Sequence, residues 1–183
     1  MKAKTVAAAR SARARAVLAG WSMLALGAAF WLSSPAASSQ EREAAPKIEF
    51  RDAQGRPTTI AAFAGKVVLL DFWASWCLPC QREMPIFDRL QEKLGSRGFV
   101  VVPVSIDVRG LEAVSRFYAD QNISRLEKFT DPSREAAKRL GFVGIPSALI
   151  LDRQGRIATR IEGPINWESS RITALFDRLL TEK

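Results

Sequence analysis

The two cysteines of this 183-residue chain, Cys77 and Cys80, are separated by two residues and are the side chains best suited to covalent chemistry. Such a spacing is compatible with a structural disulfide, half of a zinc site or a redox-active dithiol. Zinc normally takes four ligands, and the chain has no histidine and no third cysteine, which leaves only a zinc site shared between subunits. A disulfide across so short a loop removes little entropy from the unfolded chain. The spacing therefore favours a redox-active dithiol.

The residues around the cysteines predict a strand, a tight turn and a helix. Residues 67–72 form a nearly continuous apolar, β-rich run, as in a strand covered on both faces. After Cys80 the apolar residues follow helical spacing, at Met84, Phe87, Leu90 and Leu94. Cys77 then lies at a helix N-terminus, where backbone N–H groups and the helix dipole stabilise a thiolate. We therefore predict that Cys77 has a lowered pKa and is the nucleophile, and that Cys80 resolves the mixed disulfide.

Asp71 is the one ionisable residue inside the predicted apolar strand. An ionised carboxylate is costly to bury without a partner, so burial should raise its pKa. Asp71 could then accept the proton of Cys80 when that thiol attacks. The alternative is a carboxylate at the end of the strand that reaches water.

Two further positions could shape the surface around the dithiol. Pro146 follows Gly144 and Ile145, between a predicted helix end and a strand, which suits a cis peptide bond. A cis-proline would form a flat wall beside the sulfur atoms, while the backbone of Ile145 could pair with an extended substrate. Trp73 and Trp76 could both be core aromatics, but Trp76 adjoins the nucleophile and is expected to form an exposed docking surface.

These residues resemble the thioredoxin superfamily. The stretch Asp71-Phe72-Trp73-Ala74-Ser75-Trp76-Cys77-Leu78-Pro79-Cys80 is similar to its active-site signature, and Gly144-Ile145-Pro146-Ser147 resembles its cis-proline loop. The likeness is closer to the membrane-anchored thiol:disulfide oxidoreductases of TlpA/ResA type, and closest to TlpA, and it covers roughly residues 46–181. The segments that carry it are Gly65-Lys66, Glu83-Met84-Pro85, Leu151-Asp152-Arg153-Gln154-Gly155-Arg156 and Gly163-Pro164-Ile165-Asn166-Trp167.

The resemblance implies further features of the site. Glu83 matches the active-site glutamate of the TlpA/ResA-like group and is expected close to the two sulfur atoms; on helical spacing alone it could be a solvated carboxylate. No cofactor is expected apart from the redox-active Cys77–Cys80 disulfide. The implied partners are extracytoplasmic client proteins with disulfides and a membrane electron-relay protein that reduces the pair.

The pattern of elements predicts an α/β, three-layer fold with a central mixed sheet and helices on both faces, and the resemblance implies that this fold is thioredoxin-like. An N-terminal hairpin and a central helix–strand insertion extend the minimal plan. The predicted elements are a hairpin over residues 47–51 and 57–60, a helical turn at 61–64, a strand from 67, a helix over 77–94, a strand over 99–106, a helix from 111 to about 122, a strand over 126–130, a helix from 131 or 133 to 140, a hairpin over 147–151 and 157–161, and a last helix containing Ile172, Leu175, Phe176 and Leu179.

The N-terminal region predicts a membrane anchor. Residues 1–16 are basic. Residues 17–37 carry no charge, are almost wholly apolar as far as Leu32, and are about long enough to span a bilayer. The positive-inside rule then leaves the N-terminus in the cytoplasm, with a flexible tether over residues 38–45 and a domain over residues 46–183 in the periplasm. A bacterial inner-membrane protein with a single pass is expected. A cleaved secretory signal and a mitochondrial presequence are the alternatives.

The formal charge of +8 does not indicate nucleic-acid binding. Of the 27 basic residues, five precede the first acidic residue, Glu41, so the remainder carries 22 basic and 19 acidic side chains. Such a balance is typical of an ordinary solvated surface, and no nucleic-acid partner is expected.

The predicted function is reduction of disulfides in particular extracytoplasmic clients, such as apocytochromes c in cytochrome c maturation or proteins of copper-site and cytochrome oxidase assembly. The direction of electron flow depends on the reduction potential, which the Leu-Pro dipeptide between the cysteines leaves open. One alternative is a peroxiredoxin-like peroxidase, although Phe72-Trp73-Ala74-Ser75-Trp76 lacks the upstream Thr and Pro that such a site would want. Another is a non-enzymatic copper-site assembly factor, which would need a histidine.

Overall fold

Seven strands form one mixed sheet in the computed structural model, which describes residues 42–182. The strands are β1 (Glu49–Arg51), β2 (Pro57–Thr59), β3 (Val67–Trp73), β4 (Phe99–Ser105), β5 (Phe129–Thr130), β6 (Ser147–Leu151) and β7 (Ile157–Glu162). The α-helices are α1 (Leu78–Leu94), α2 (Leu111–Gln121), α3 (Glu135–Arg139) and α4 (Ser170–Thr181), and short 3-10 helices cover Ile60–Phe63 and Gly95–Arg97. The strand order is β2-β1-β5-β4-β3-β6-β7.

Strand β3 lies within the sheet and has all seven side chains buried. It pairs in parallel with β4, Val67 opposite Phe99, and antiparallel with β6, Phe72 opposite Ser147. A strand covered on both faces needs apolar side chains at successive positions, which explains the continuous run that identified it in the sequence.

Ring contacts show that helices cover both faces of the sheet. Trp73 contacts Phe117 of α2, with ring centroids 5.0 Å apart, and Phe99 contacts Phe176 of α4 at 5.0 Å. Because side chains alternate along strands and Phe99 is in register with Val67, these two contacts lie on the same face. Phe72 points to the opposite face and contacts Phe142, which follows α3, at 5.7 Å. The predicted three-layer, thioredoxin-like fold is confirmed.

The predicted helix–strand insertion links the N-terminal hairpin to the sheet. Strand β5 pairs in parallel with β4 and antiparallel with β1, and Phe129 contacts Phe50 at 5.4 Å between ring centroids. β5 contains only Phe129 and Thr130, whereas a strand over residues 126–130 was expected. The preceding backbone bonds to side chains instead: Asp88 accepts the N–H groups of Ser124 and Arg125, and Tyr118 donates to the carbonyl of Glu127.

Helix α3 begins later than predicted, at Glu135. Both expected capping residues bond to its first turn: Asp131 accepts the N–H of Ala136 at 2.9 Å and Ser133 accepts that of Glu135 at 3.3 Å. However, Arg134 has a φ of 62°, in the left-handed region. A right-handed helix does not continue through such a residue, so α3 starts after Arg134 and not at Asp131 or Ser133.

The same five-residue turn closes both hairpins, Asp-x-Gln-Gly-Arg. At residues 52–56 and 152–156 the aspartate Oδ1 accepts the N–H groups two and four residues later, and the glycine takes a φ of 73°. A positive φ carries no penalty for glycine. The shared turn explains why both hairpins could be predicted from the sequence.

Arg42 connects the start of the described chain to the second of these turns and to the C-terminus. Its guanidinium donates to Asp152 at 3.0 Å and to both carboxylate oxygens of Glu182 at 2.6 and 2.9 Å. The N–H of Ala45 also donates to the carbonyl of Gly155 at 3.0 Å. Although the tether was predicted to reach residue 45, residues 42–45 thus contact the domain. The predicted basic N-terminus and signal-anchor lie outside the described residues, and no helix within residues 42–182 is long and apolar enough to cross a membrane.

We predict that Arg42→Ala lowers the free energy of unfolding by about 1–2 kcal/mol at pH 7, because it leaves the buried Asp152 carboxylate with fewer partners. Burial of Asp152 opposes ionisation, but the N–H and guanidinium groups of Arg156 and Arg42 outweigh it and lower its pKa; the hydrogen bonds from Arg42 lower the pKa of Glu182. The contribution should therefore be complete above about pH 5 and disappear as the pH falls through the depressed pKa values.

Urea denaturation of wild type and variant at pH 7 and pH 3 tests this expectation. Arg89→Ala is the matched control, because it removes an exposed ion pair with Glu168 and should cost no more than a few tenths of a kcal/mol. An equal loss for both variants, or a loss for Arg42→Ala that does not shrink at pH 3, would contradict the assignment.

Candidate active site

Cys77 is the N-cap of α1 and forms a disulfide with Cys80 in the first turn of that helix. The Cys77 sulfur accepts a hydrogen bond from the backbone N–H of Cys80 at 3.3 Å. Pro79 is tolerated here because the first helical turn does not need its N–H groups for intrahelical bonds. Cys77 is 6% exposed and Cys80 only 1%, so the cap residue is the more accessible of the two. The structure therefore places Cys77 where the sequence predicted it.

Asp107, which sequence reasoning missed, holds the loop before Cys77. Its carboxylate accepts hydrogen bonds from the backbone N–H and the hydroxyl of Ser75, both at 2.8 Å, and from the hydroxyl of Ser105 at 2.7 Å. Asp107 follows β4, which runs parallel to β3, so both strands end at the same edge of the sheet. The signal available in the sequence was a carboxylate directly after the second buried strand.

Asp71 is buried in β3 and is 1% exposed, so the alternative of a carboxylate reaching water is wrong. Its Oδ1 atom has no hydrogen-bond partner within residues 42–182. Burial, and to a lesser degree the negative charge of Glu83, raises the pKa of Asp71 well above its ordinary value. The site therefore contains a carboxyl group with an unusually high proton affinity.

Glu83 lies three residues after Cys80, which places the two side chains as neighbours on one face of α1. It is 4% exposed, which excludes the alternative of a solvated carboxylate. Its Oε1 atom accepts the indole N–H of Trp167 at 2.8 Å and, at 3.5 Å, the backbone N–H of Ile165. Burial raises the pKa of Glu83, although these hydrogen bonds oppose the rise. Trp167 is a second residue of the site whose contact the sequence did not reveal.

The peptide bond between Ile145 and Pro146 is cis, as expected. Strand β6 begins at the next residue, Ser147, opposite Phe72 near the end of β3. This register brings the cis-proline loop to the edge of the sheet that carries the cysteines. The loop is fixed on both sides, since Ser147 donates to the carbonyl of Gly144 at 2.7 Å and Gly163 donates to that of Pro146 at 2.9 Å.

Within residues 42–182, four large apolar side chains are exposed at this edge, three on loops and one, Leu78, at the first residue of α1. They lie beside Cys77, after β4 and before β6, and are 59–96% exposed: Trp76, Leu78, Val108 and Val143. Trp73, by contrast, is fully buried against α2. We call the four exposed residues, Trp76, Leu78, Val108 and Val143, the apolar rim. No group of three or more His, Cys, Asp or Glu side chains within residues 42–182 is arranged to hold a metal ion.

A cysteine pair at a helix N-terminus, next to a cis-proline on a mixed sheet, defines the thioredoxin class of redox proteins. The chain belongs to the Redoxin family, whose model matches residues 40–175. It is 29% identical over 119 residues to the thiol-disulfide oxidoreductase ResA of Bacillus thuringiensis subsp. konkukian, covering 65% of this chain and 68% of that protein. It is 28% identical over 152 residues to the thiol:disulfide interchange protein HelX of Rhodobacter capsulatus, covering 80% and 79% respectively.

The fold agrees with that of a solved structure from Chlorobium tepidum, described as a thiol:disulfide interchange protein DsbE. The TM-score is 0.68 at 27% sequence identity, and the match covers 76% of this chain and 96% of the other. Family, relatives and fold together identify the chain as a thiol-disulfide oxidoreductase of the TlpA/ResA-like group, which confirms the predicted enzyme class.

We predict that iodoacetamide at pH 6 labels Cys77 before Cys80 in the reduced protein. The N-cap position stabilises a thiolate and leaves the sulfur more accessible, whereas Cys80 lies deeper in the helix. Peptide mass spectrometry after brief labelling measures the order. Cys77→Ser and Cys80→Ser serve as controls that report each thiol alone, and faster labelling of Cys80 in wild type would show that the nucleophile is misassigned.

Proposed function

We propose that this protein reduces disulfides of particular extracytoplasmic client proteins at the Cys77–Cys80 pair. The observation that carries the proposal is the position of Cys77 as the N-cap of α1, bonded to Cys80, at the same edge of the sheet as cis-Pro146. The relatives, a thiol-disulfide oxidoreductase and a thiol:disulfide interchange protein, support the same chemistry.

The reaction moves two electrons from the dithiol to the client. The Cys77 thiolate attacks one sulfur of a client disulfide, forms a mixed disulfide and releases the first client thiolate. Cys80 then loses its proton and attacks the Cys77 sulfur, which releases the second client thiolate. The client gains two electrons and two protons overall, and the protein is left with the Cys77–Cys80 disulfide.

Asp71 is the proposed acceptor for the proton of Cys80. A buried carboxyl with a raised pKa has the proton affinity that this step requires, and its Oδ1 atom has no competing hydrogen bond within the described residues. Glu83 contributes its negative charge, which raises the proton affinity of Asp71 further. These roles account for two buried carboxylates that would otherwise only destabilise the core.

The apolar rim is the proposed docking surface for the client. Trp76 and Leu78 flank Cys77, so a client segment that reaches the sulfur must pass over them. An extended segment would pair with the backbone of Ile145, while cis-Pro146 keeps a flat wall beside the disulfide. Such a surface favours unfolded or locally extended clients, in which a cysteine pair and its apolar neighbours are accessible.

The N-terminal sequence supports the proposed location, and the resemblance to the TlpA/ResA-like group supports the proposed partners. A basic N-terminus and the apolar run over residues 17–37 support a single-pass anchor in the bacterial inner membrane with the domain in the periplasm. There, a membrane electron-relay protein would return the Cys77–Cys80 disulfide to the dithiol. Apocytochromes c and proteins of copper-site assembly are the proposed clients, because their cysteines must be reduced before they bind haem or metal.

Cys80→Ser tests this function, because it removes the resolving thiol and should trap clients on Cys77. We expect a small set of disulfide-linked adducts in periplasmic extracts, rich in cysteine-pair proteins and released by dithiothreitol. Cys77→Ser is the matched control and should trap nothing. In the wild type, alkylation in living cells should find the pair mostly reduced.

Three results would contradict the proposal. Trapping by Cys77→Ser would reverse the roles of the cysteines. A broad spectrum of secreted proteins on Cys80→Ser, together with a mostly oxidised pair, would indicate an oxidase or isomerase. The absence of adducts from both variants would show that the protein does not exchange disulfides with protein clients.

A further inference from the structure

Residues 163–167, in the loop between β7 and α4, contact two groups that the proposed reaction uses. At its start, the N–H of Gly163 donates to the carbonyl of cis-Pro146 at 2.9 Å. At its end, the indole N–H of Trp167 donates to Oε1 of Glu83 at 2.8 Å. One short segment therefore fixes both the cis-proline loop and the carboxylate on α1.

The bond from Trp167 is the principal short contact of the Glu83 carboxylate. The N–H of Ile165 lies at 3.5 Å, and Oε2 has no partner within residues 42–182. Trp167 is itself 1% exposed and is held by an edge-to-face contact with Phe87, with ring centroids 4.9 Å apart. Its N–H is thus aimed at Glu83 by packing and is shielded from competing water.

Glu83 is surrounded by few charges that could replace this bond. Asp71 on β3 is of like sign and cannot stabilise a charged Glu83, while the exposed Arg82 on α1 favours the charged form weakly. Tyr118 on α2 faces Asp71 and donates its hydroxyl to the carbonyl of Glu127 rather than to either carboxylate. A donor to the charged form of a buried carboxylate stabilises that form.

We propose that Trp167 is a positioning residue of the dithiol site, which holds the Glu83 side chain in place and favours its charged form through the indole N–H. The inference deepens the proposed function, since an ionised Glu83 is what raises the proton affinity of Asp71. The loop that carries Trp167 also bonds to Pro146, so it fixes the position of the Glu83 carboxylate relative to the cis-proline that would contact the client.

Trp167→Phe tests the proposal, because phenylalanine keeps an aromatic ring against Phe87 and removes only the N–H donor. The readout is the pH midpoint of the Glu83 side-chain carboxyl carbon by ¹³C NMR in the oxidised protein, assigned by the signal that Glu83→Gln removes. Loss of a hydrogen bond to a charged group should move the midpoint upward by about one pH unit.

Trp73→Phe is the matched control, since it makes the same substitution at a buried tryptophan whose indole N–H has no hydrogen-bond partner within residues 42–182. We expect its midpoint to stay within about 0.3 units of wild type, a small part of the one-unit shift expected for loss of the bond. A second measurement needs no substitution at Trp167: its indole ¹⁵N–H resonance should titrate with the same midpoint as Glu83 and should lose that titration in Glu83→Gln.

An unchanged midpoint in Trp167→Phe, an equal shift in Trp73→Phe, or an indole resonance that does not follow Glu83 would each overturn the proposal. Failure of the proposed function is recognised separately, by the client adducts and by insulin reduction in the wild type. If wild type reduces insulin while the Glu83 midpoint is insensitive to substitution of Trp167, the proposed reductase function is retained and only the positioning role of Trp167 is rejected.

Discussion

The site depends on a constraint set by β3, a strand buried on both faces within the sheet. Because β4 runs parallel to β3 and β6 runs antiparallel to it, the end of β3, the end of β4 and the start of β6 all meet at one edge. The three loops at this edge carry the cysteines, Asp107 and cis-Pro146. Polar substitutions that prevent the burial of β3 would therefore displace the cysteines, Asp107 and cis-Pro146 together.

Burial of β3 also determines the proton affinity of Asp71. Asp71 is in a strand where every neighbour along the chain is apolar, so its ionised form is disfavoured and its proton affinity is high. Glu83 is buried beside it but keeps a donor, Trp167. Two carboxylates thus have different surroundings, one without a hydrogen bond at Oδ1 within residues 42–182 and one held by an indole, and this difference suits them to different roles.

The strongest predictions from sequence were those with a local cause. The apolar run of β3, the helical spacing of α1 and the two Asp-x-Gln-Gly-Arg turns depend on residues close together in the chain, and each appears where it was expected. The short β5, the late start of α3 and the contacts of Arg42 depend on distant partners or on one left-handed residue. Local patterns carry no information about these.

The same distinction applies to the site. Cys77, Cys80, Asp71, Glu83 and Pro146 were predicted as site residues from motifs, whereas Asp107 and Trp167 contact residues 32 and 84 positions away. Their side chains are also common in ordinary cores and loops. Only the parallel register of β3 and β4 brings Asp107 to Ser75, and only the packing of the β7–α4 loop on α1 brings Trp167 to Glu83.

The central claim, that Asp71 accepts the proton of Cys80, is tested most directly by timing the two steps separately. In a single turnover with a small aromatic disulfide, Asp71→Asn should leave the first attack by Cys77 unchanged and slow the resolution by Cys80 at least about tenfold. Asp88→Asn, which alters a different buried carboxylate that lies on α1, is the control and should change neither step. Resolution at the wild-type rate in Asp71→Asn, or equal slowing of both steps, would contradict the account.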